Sequence, residues 1–168
     1  MPKQKVLIPL NQSELSQKIL PYVESFISAS ENELILYFVT KPPTGVGFGE
    51  PDLGAGYAKL PGDKPVRPTL HPIYATQQED NIKAQVETDL MPVIRHLKDA
   101  DYQVSIVVGF EKDPVEAILS VITRSKIDLV AMSTRAHVGV TRFFFRGIAD
   151  SLAQKANIPV LLFHPQEE

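Results

Sequence analysis

Four cationic side chains, Arg135, His137, Arg142 and Arg146, fall between Met132 and Gly147, and no acidic residue interrupts them. Guanidinium groups hold phosphate through paired hydrogen bonds, so this cluster suits an anion site. The segment follows an apolar run at 129–132 and precedes an amphipathic stretch at 148–156. A loop between a strand end and a helix start is where open α/β proteins hold phosphates, because the first helical amides are unpaired and the helix dipole favours negative charge. The competing reading is a solvated basic loop, with Phe143, Phe144 and Phe145 packing it onto the sheet.

Other chemistry finds little support. The serines Ser13, Ser120, Ser133 and Ser151 lack a Gly-x-Ser-x-Gly elbow, and no Walker lysine motif is present. His71, His96, His137 and His164 have no ligand spacing and no carboxylate cluster beside them, which argues against a metal site. The chain has no cysteine, excluding a thiolate nucleophile, thiolate metal ligands and disulfides. Lys112 and Asp113 could serve phosphate chemistry, but Asp113 reads better as a helix cap.

The elements that would position the basic loop follow from the apolar pattern. Runs at 6–10, 34–39, 104–108, 129–132 and 160–163 are nearly continuous, as in strands buried on both faces of a covered parallel sheet. Between them lie helical patterns. One begins at Asn11-Gln-Ser-Glu14, which offers Asn11 as N-cap with Glu14 at its third position, and places Leu15, Ile19, Val23 and Phe26 on one face, with Pro21 bending it. A second starts with a capping box at Thr76-Gln-Gln-Glu79 and is interrupted by Pro92. A third has Asp113 as cap, Pro114 at its first position and Glu116 reaching back. The alternating order predicts a parallel sheet with right-handed crossovers, and a crevice where the strand order reverses.

With 168 residues, 43% hydrophobic and 22% charged, the chain suits one soluble domain, 1–168. Its net charge of −3 gives no general attraction to nucleic acid or an anionic membrane. No apolar run has the length of a membrane span, and no signal peptide is evident at the start, so a cytoplasmic protein is expected. A Pro- and Gly-rich insertion at about 41–72 holds seven of the 14 prolines and six of the nine glycines. Its Gly45-Val-Gly-Phe-Gly49 is not followed by a helix and carries little weight as a phosphate loop.

The segments Val6-Leu-Ile-Pro-Leu-Asn-Gln-Ser13, Asp128-Leu-Val-Ala-Met-Ser-Thr134 and Ile158-Pro-Val-Leu-Leu-Phe163, in this element order, resemble the universal stress protein family. The resemblance covers nearly the whole chain outside the insertion. It implies an α/β fold, a Rossmann-like open sheet of five parallel strands with helices on both faces. It also implies a homodimer through the last strand, Pro159, Val160, Leu161, Leu162 and Phe163, with an unidentified regulatory protein as further partner.

Many members of that family bind ATP through a loop written Gly-x2-Gly-x9-Gly-Ser/Thr. Here those positions are Ser133, Ala136, Arg146 and Gly147: the spacing survives, while the three glycines and the hydroxyl are replaced. Asn11 stands where such members carry Asp, and Lys112 where they carry Gly before the third helix. The implied binding residues are Pro9, Leu10, Asn11, Val39, Met132, Ser133, Thr134, Arg135, Ala136, Gly139, Arg146, Gly147 and Ile148. The reading is a non-enzymatic, dimeric stress-response binding module with a degenerate nucleotide loop. The alternative is a member that does bind ATP or another adenine nucleotide, the ligand itself being left open. A weak ATPase or phosphotransferase is the third reading.

Overall fold

A computed structural model describes residues 2–11, 13–43, 72–134 and 147–164. Five strands, β1 (Gln4–Leu10), β2 (Asn32–Thr40), β3 (Gln103–Phe110), β4 (Leu129–Ser133) and β5 (Val160–Phe163), form one sheet in the order β3-β2-β1-β4-β5. All pairings are parallel. The helices are α1 (Glu14–Gln17), α2 (Leu20–Phe26), α3 (Pro72–Asp99), α4 (Pro114–Ser125) and α5 (Ile148–Lys155).

Alternate side chains of each central strand feed two cores. Val6, Ile8, Leu34, Leu36 and Ala131 pack beneath α2 and α3 with Ile19, Val23, Leu90 and Leu97. Leu7, Ile35, Tyr37, Val130 and Met132 pack beneath α4 and α5 with Ile118, Val121 and Leu152. Val6, Leu7 and Ile8 have no exposed surface, which is why β1 reads as an unbroken apolar run. Each such side chain contributes about 1.5–3 kcal/mol by leaving water.

β3 departs from that expectation. It is an edge strand with only one face covered, so Val104, Ile106 and Val108 are half-buried while Gln103, Ser105 and Val107 are exposed. Further along it, Gly109 admits the ring of Tyr37 from β2: a Cβ there would lie 2.8 Å from the ring's Cε2 and Cζ.

The first helical region is two helices rather than one bent helix. A proline ring clashes with the carbonyl four residues before it, and α1 ends at Gln17, four residues before Pro21. Pro21 then sits in the first turn of α2, where its missing N–H costs nothing. The cap of α1 is Ser13, not Asn11, and Asn11 Oδ1 instead accepts from Ser13 N at 2.8 Å.

α3 begins at Pro72, so Thr76 lies inside the helix and the expected capping box is not its start. A proline at the first position suits a helix start equally well. The helix also runs through Pro92 to Asp99, about 42 Å in all at 1.5 Å per residue. Pro92 is on the exposed side, so the hydrogen bond it forgoes is lost where water can replace it. Of the insertion, residues 44–71 lie outside the described residues.

Candidate functional site

The strand order reverses between β1 and β4, and these two strands pair only through Val6–Leu129 and Leu7–Val130. Beyond that point β1 continues to Leu10 and β4 to Ser133 without pairing to one another. Their crossovers leave in opposite directions, β1 towards β2 and β4 towards β5. A crevice of about 230 Å³ opens there, at the carboxyl ends of the strands.

Pro9, Leu10 and Asn11 end the β1 side of this crevice, Val39 lies at the end of β2, and Met132 and Ser133 close the β4 side. Ile148, the first residue of α5, faces them. The structure therefore brings together seven of the residues singled out from sequence. Thr134 is tied instead to β5, its N–H donating to Phe163 O at 2.8 Å. Gly147 stands just before α5, beside the crevice without lining it, and gives the helix no side-chain cap. Arg135, Ala136, Gly139 and Arg146 lie outside the described residues, as do His137, Arg142 and Phe143, Phe144 and Phe145.

Six further lining residues were not anticipated: Ser16, Thr40, Lys41, Glu111, Pro114 and Ile118. Lys112, singled out from sequence for possible phosphate chemistry, lines it too. Glu111 N donates to Thr40 O at 3.0 Å, carrying the β2–β3 ladder one step past the sheet and drawing Lys41 and Lys112 to the rim. Lys41 also borders an adjoining open lobe with Asn11, Ser13, Val39 and Thr40. The only advance signal for Thr40, Lys41 and Glu111 was their place at or just after a strand end. Ile118 gave none, since a buried helical isoleucine looks like core.

Several polar groups at and beside the crevice are held by the protein's own hydrogen bonds. Ser16 Oγ donates to Ser13 O at 2.8 Å and accepts from Asn11 N at 3.2 Å, fixing the turn after β1. Asp113 accepts from Val115 N at 2.8 Å and Glu116 N at 3.3 Å, capping α4 as expected. Glu116 does not reach back; its carboxylate takes Lys155 Nζ at 3.1 Å, joining the start of α4 to the end of α5. Ser133 Oγ is different: it is buried and, among the described residues, has no hydrogen-bond partner. On the α4 face, burial pushes the Tyr37 hydroxyl pKa up, Glu111 adds to that rise, and Arg124 opposes it.

Among the described residues, no three His, Asp or Glu side chains gather as a metal site. Nor is any helix among them long and apolar enough to cross a membrane.

A scan against family profiles matches the universal stress protein family over residues 3–164. The chain belongs to that family. No curated protein matches it in sequence. Among solved structures it is similar to a universal stress protein from Lactobacillus plantarum, at 14% identity and a TM-score of 0.60, over 98% of this chain and 99% of that one. A universal stress protein family member from Arabidopsis thaliana with AMP bound matches at 14% identity and 0.60, over 97% of this chain and 92% of the other. A universal stress protein in complex with cAMP matches at 18% identity and 0.52, over 98% of both chains. At these identities the likeness establishes a shared fold.

Proposed function

We propose that this universal stress protein is a non-enzymatic, cytoplasmic, homodimeric binding module that takes an adenine nucleotide in the crevice between β1 and β4. The crevice at the strand reversal carries this reading, because it combines apolar walls with an uncapped helix start. Pro9, Leu10, Val39, Met132 and Ile148 offer the apolar surface a purine needs. Asn11 has its Oδ1 committed to the backbone, which leaves its side-chain NH2 to meet a ring nitrogen. The start of α5 would receive the phosphate, with Arg135 and Arg146 next in sequence to β4 and α5 adding charge. Two structures of the same fold, one with AMP bound and one in complex with cAMP, support the ligand class.

A second copy of the chain would pair along the free edge of β5, the strand Val160, Leu161, Leu162 and Phe163, entered through Pro159. Its four residues are only half-buried, and Tyr22 stacks on Phe163 at 3.6 Å with Phe26 76% exposed on the same helix. An open strand edge flanked by aromatic surface favours pairing. A regulatory protein partner would then read the nucleotide-bound dimer.

Calorimetric titration with AMP, ADP, ATP and cAMP tests the ligand. At a concentration one hundred times Kd, a binder gains about 2.7 kcal/mol of stability. No heat and no rise in Tm with any of the four at millimolar concentration would remove the reading. Native mass spectrometry reports the dimer, and release of ADP from ATP beyond a buffer blank would contradict the non-enzymatic part.

A further inference from the structure

The crevice, at about 230 Å³, is smaller than the roughly 300–1,000 Å³ usual for a small-molecule site, and it adjoins an open lobe of about 420 Å³. That lobe lies between the ends of β1 and β2, and among the described residues none from β4 or α5 lines it. A nucleotide with its phosphate at the start of α5 therefore extends its base towards the lobe. Asn11, Val39, Thr40 and Lys41 line both spaces, so they form the wall that the edge of the base meets.

Purines differ at position 6 of that edge. A 6-amino purine shows a donor beside the N7 acceptor, whereas a 6-oxopurine shows two acceptors, O6 and N7. A free asparagine reads the first kind, accepting from the amino group and donating to N7. Asn11 is not free: its Oδ1 accepts from Ser13 N at 2.8 Å. A backbone N–H can only donate, so this bond also fixes which end of the amide is which. What is left for a ligand is the NH2, a donor. Lys41 adds an ammonium, a donor only, and no salt bridge among the described residues takes it. The Thr40 hydroxyl can donate or accept and does not discriminate. Glu111, the carboxylate of the rim, lines the crevice but not the lobe, and Lys112 beside it offsets its charge. We infer that the donor wall of Asn11 and Lys41 makes this a site that prefers 6-oxopurine nucleotides, such as IMP and GMP, over AMP. The inference rests on the nucleotide-binding reading and sharpens it: AMP is held through its ring nitrogens, while an oxygen at position 6 gains a bond that an amino group cannot make.

Calorimetric titration of the full chain with IMP, GMP and AMP tests the preference. The two 6-oxo nucleotides should bind with a Kd about tenfold below that of AMP. Asn11→Asp keeps an acceptor for Ser13 N and turns the free half of the side chain from donor to acceptor, so the preference should vanish or reverse. Lys41→Met, at an exposed position, should shrink it, and covers the case where the turn variant folds poorly. Equal Kd for IMP and AMP in the wild type, or tighter AMP, would overturn the inference while leaving the nucleotide site standing. A preference unchanged in both variants would overturn the assignment to Asn11 and Lys41. Wild-type protein that binds none of the three, nor ATP, would remove the site and its selectivity together.

Discussion

α4 and α5 both begin at the crevice, yet they begin differently. α4 carries its own anion: Asp113 accepts from two of its first amides, and Pro114 follows. α5 starts just after Gly147, which has no side chain to cap with. The anchoring differs as well. α4 buries Ala117, Ile118, Val121 and Ile122, whereas α5 buries only Ala149 and Leu152. One helix start thus carries its own side-chain cap, and the other has none among the described residues and is lightly held. A helix start without a side-chain cap is the kind for which a bound anion can supply one.

The contrast can be broken at its anchors first. Leu152→Ala empties a fully buried site in the helix with only two buried residues, and should cost about 2–5 kcal/mol, read as a fall in Tm or in the denaturant midpoint. Gly147→Asp gives α5 the cap that α4 already has. The backbone at Gly147 (φ −67°, ψ 168°) suits any residue, and a Cβ there meets nothing within 4 Å. Stability should hold or rise by a few tenths of a kcal/mol, while AMP affinity falls about tenfold, equivalent to about 1.4 kcal/mol. If calorimetry finds affinity unchanged, the uncapped start of α5 is not the phosphate end.

Asp113→Ala makes the reverse change and should cost about 1 kcal/mol of stability, with Asp113→Asn retaining most of it. Smallest is an alkaline effect on the α4 face. The pKa of Tyr37 is raised in the folded protein, so folding favours its neutral form. The resulting stability is present below the ordinary tyrosine pKa of about 10 and is lost as pH rises through the folded value. Denaturant midpoints measured from pH 9 to 11 should fall less steeply in Tyr37→Phe than in the wild type.

Much of the frame was legible because strand burial and helix capping are local signals. The runs at 6–10 and 34–39 announced doubly covered strands, and Asp113-Pro114 announced α4 with its cap. Where the signal depended on neighbours, it failed. Val104, Ile106 and Val108 looked like a central strand because apolar sequence cannot tell an edge from a middle. Thr76 looked like a helix start because a capping box does not reveal that Pro72 has already begun the helix. Asn11 and Ser133 were legible as strand-end residues. Lys41, Glu111 and Ile118 were not, because only the register of β1, β2 and β3 and the packing of α4 on the sheet bring them to one hollow.

The sheet order also sets a timetable for synthesis. β1 can pair with β2 as soon as residue 40 has emerged, but its other neighbour, β4, ends at residue 133. At about 5–20 residues per second, the ribosome needs roughly 5–20 s to make the intervening chain. Through that interval Leu7, which belongs to the core under α4 and α5, has its β2 neighbours but neither α4 nor β4 against it. The bond from Lys5 N to Asp128, spanning 123 positions, forms only after it. The strand that ends up most enclosed is therefore the one that waits longest with a bare side, which makes it the segment of the nascent protein most in need of a chaperone.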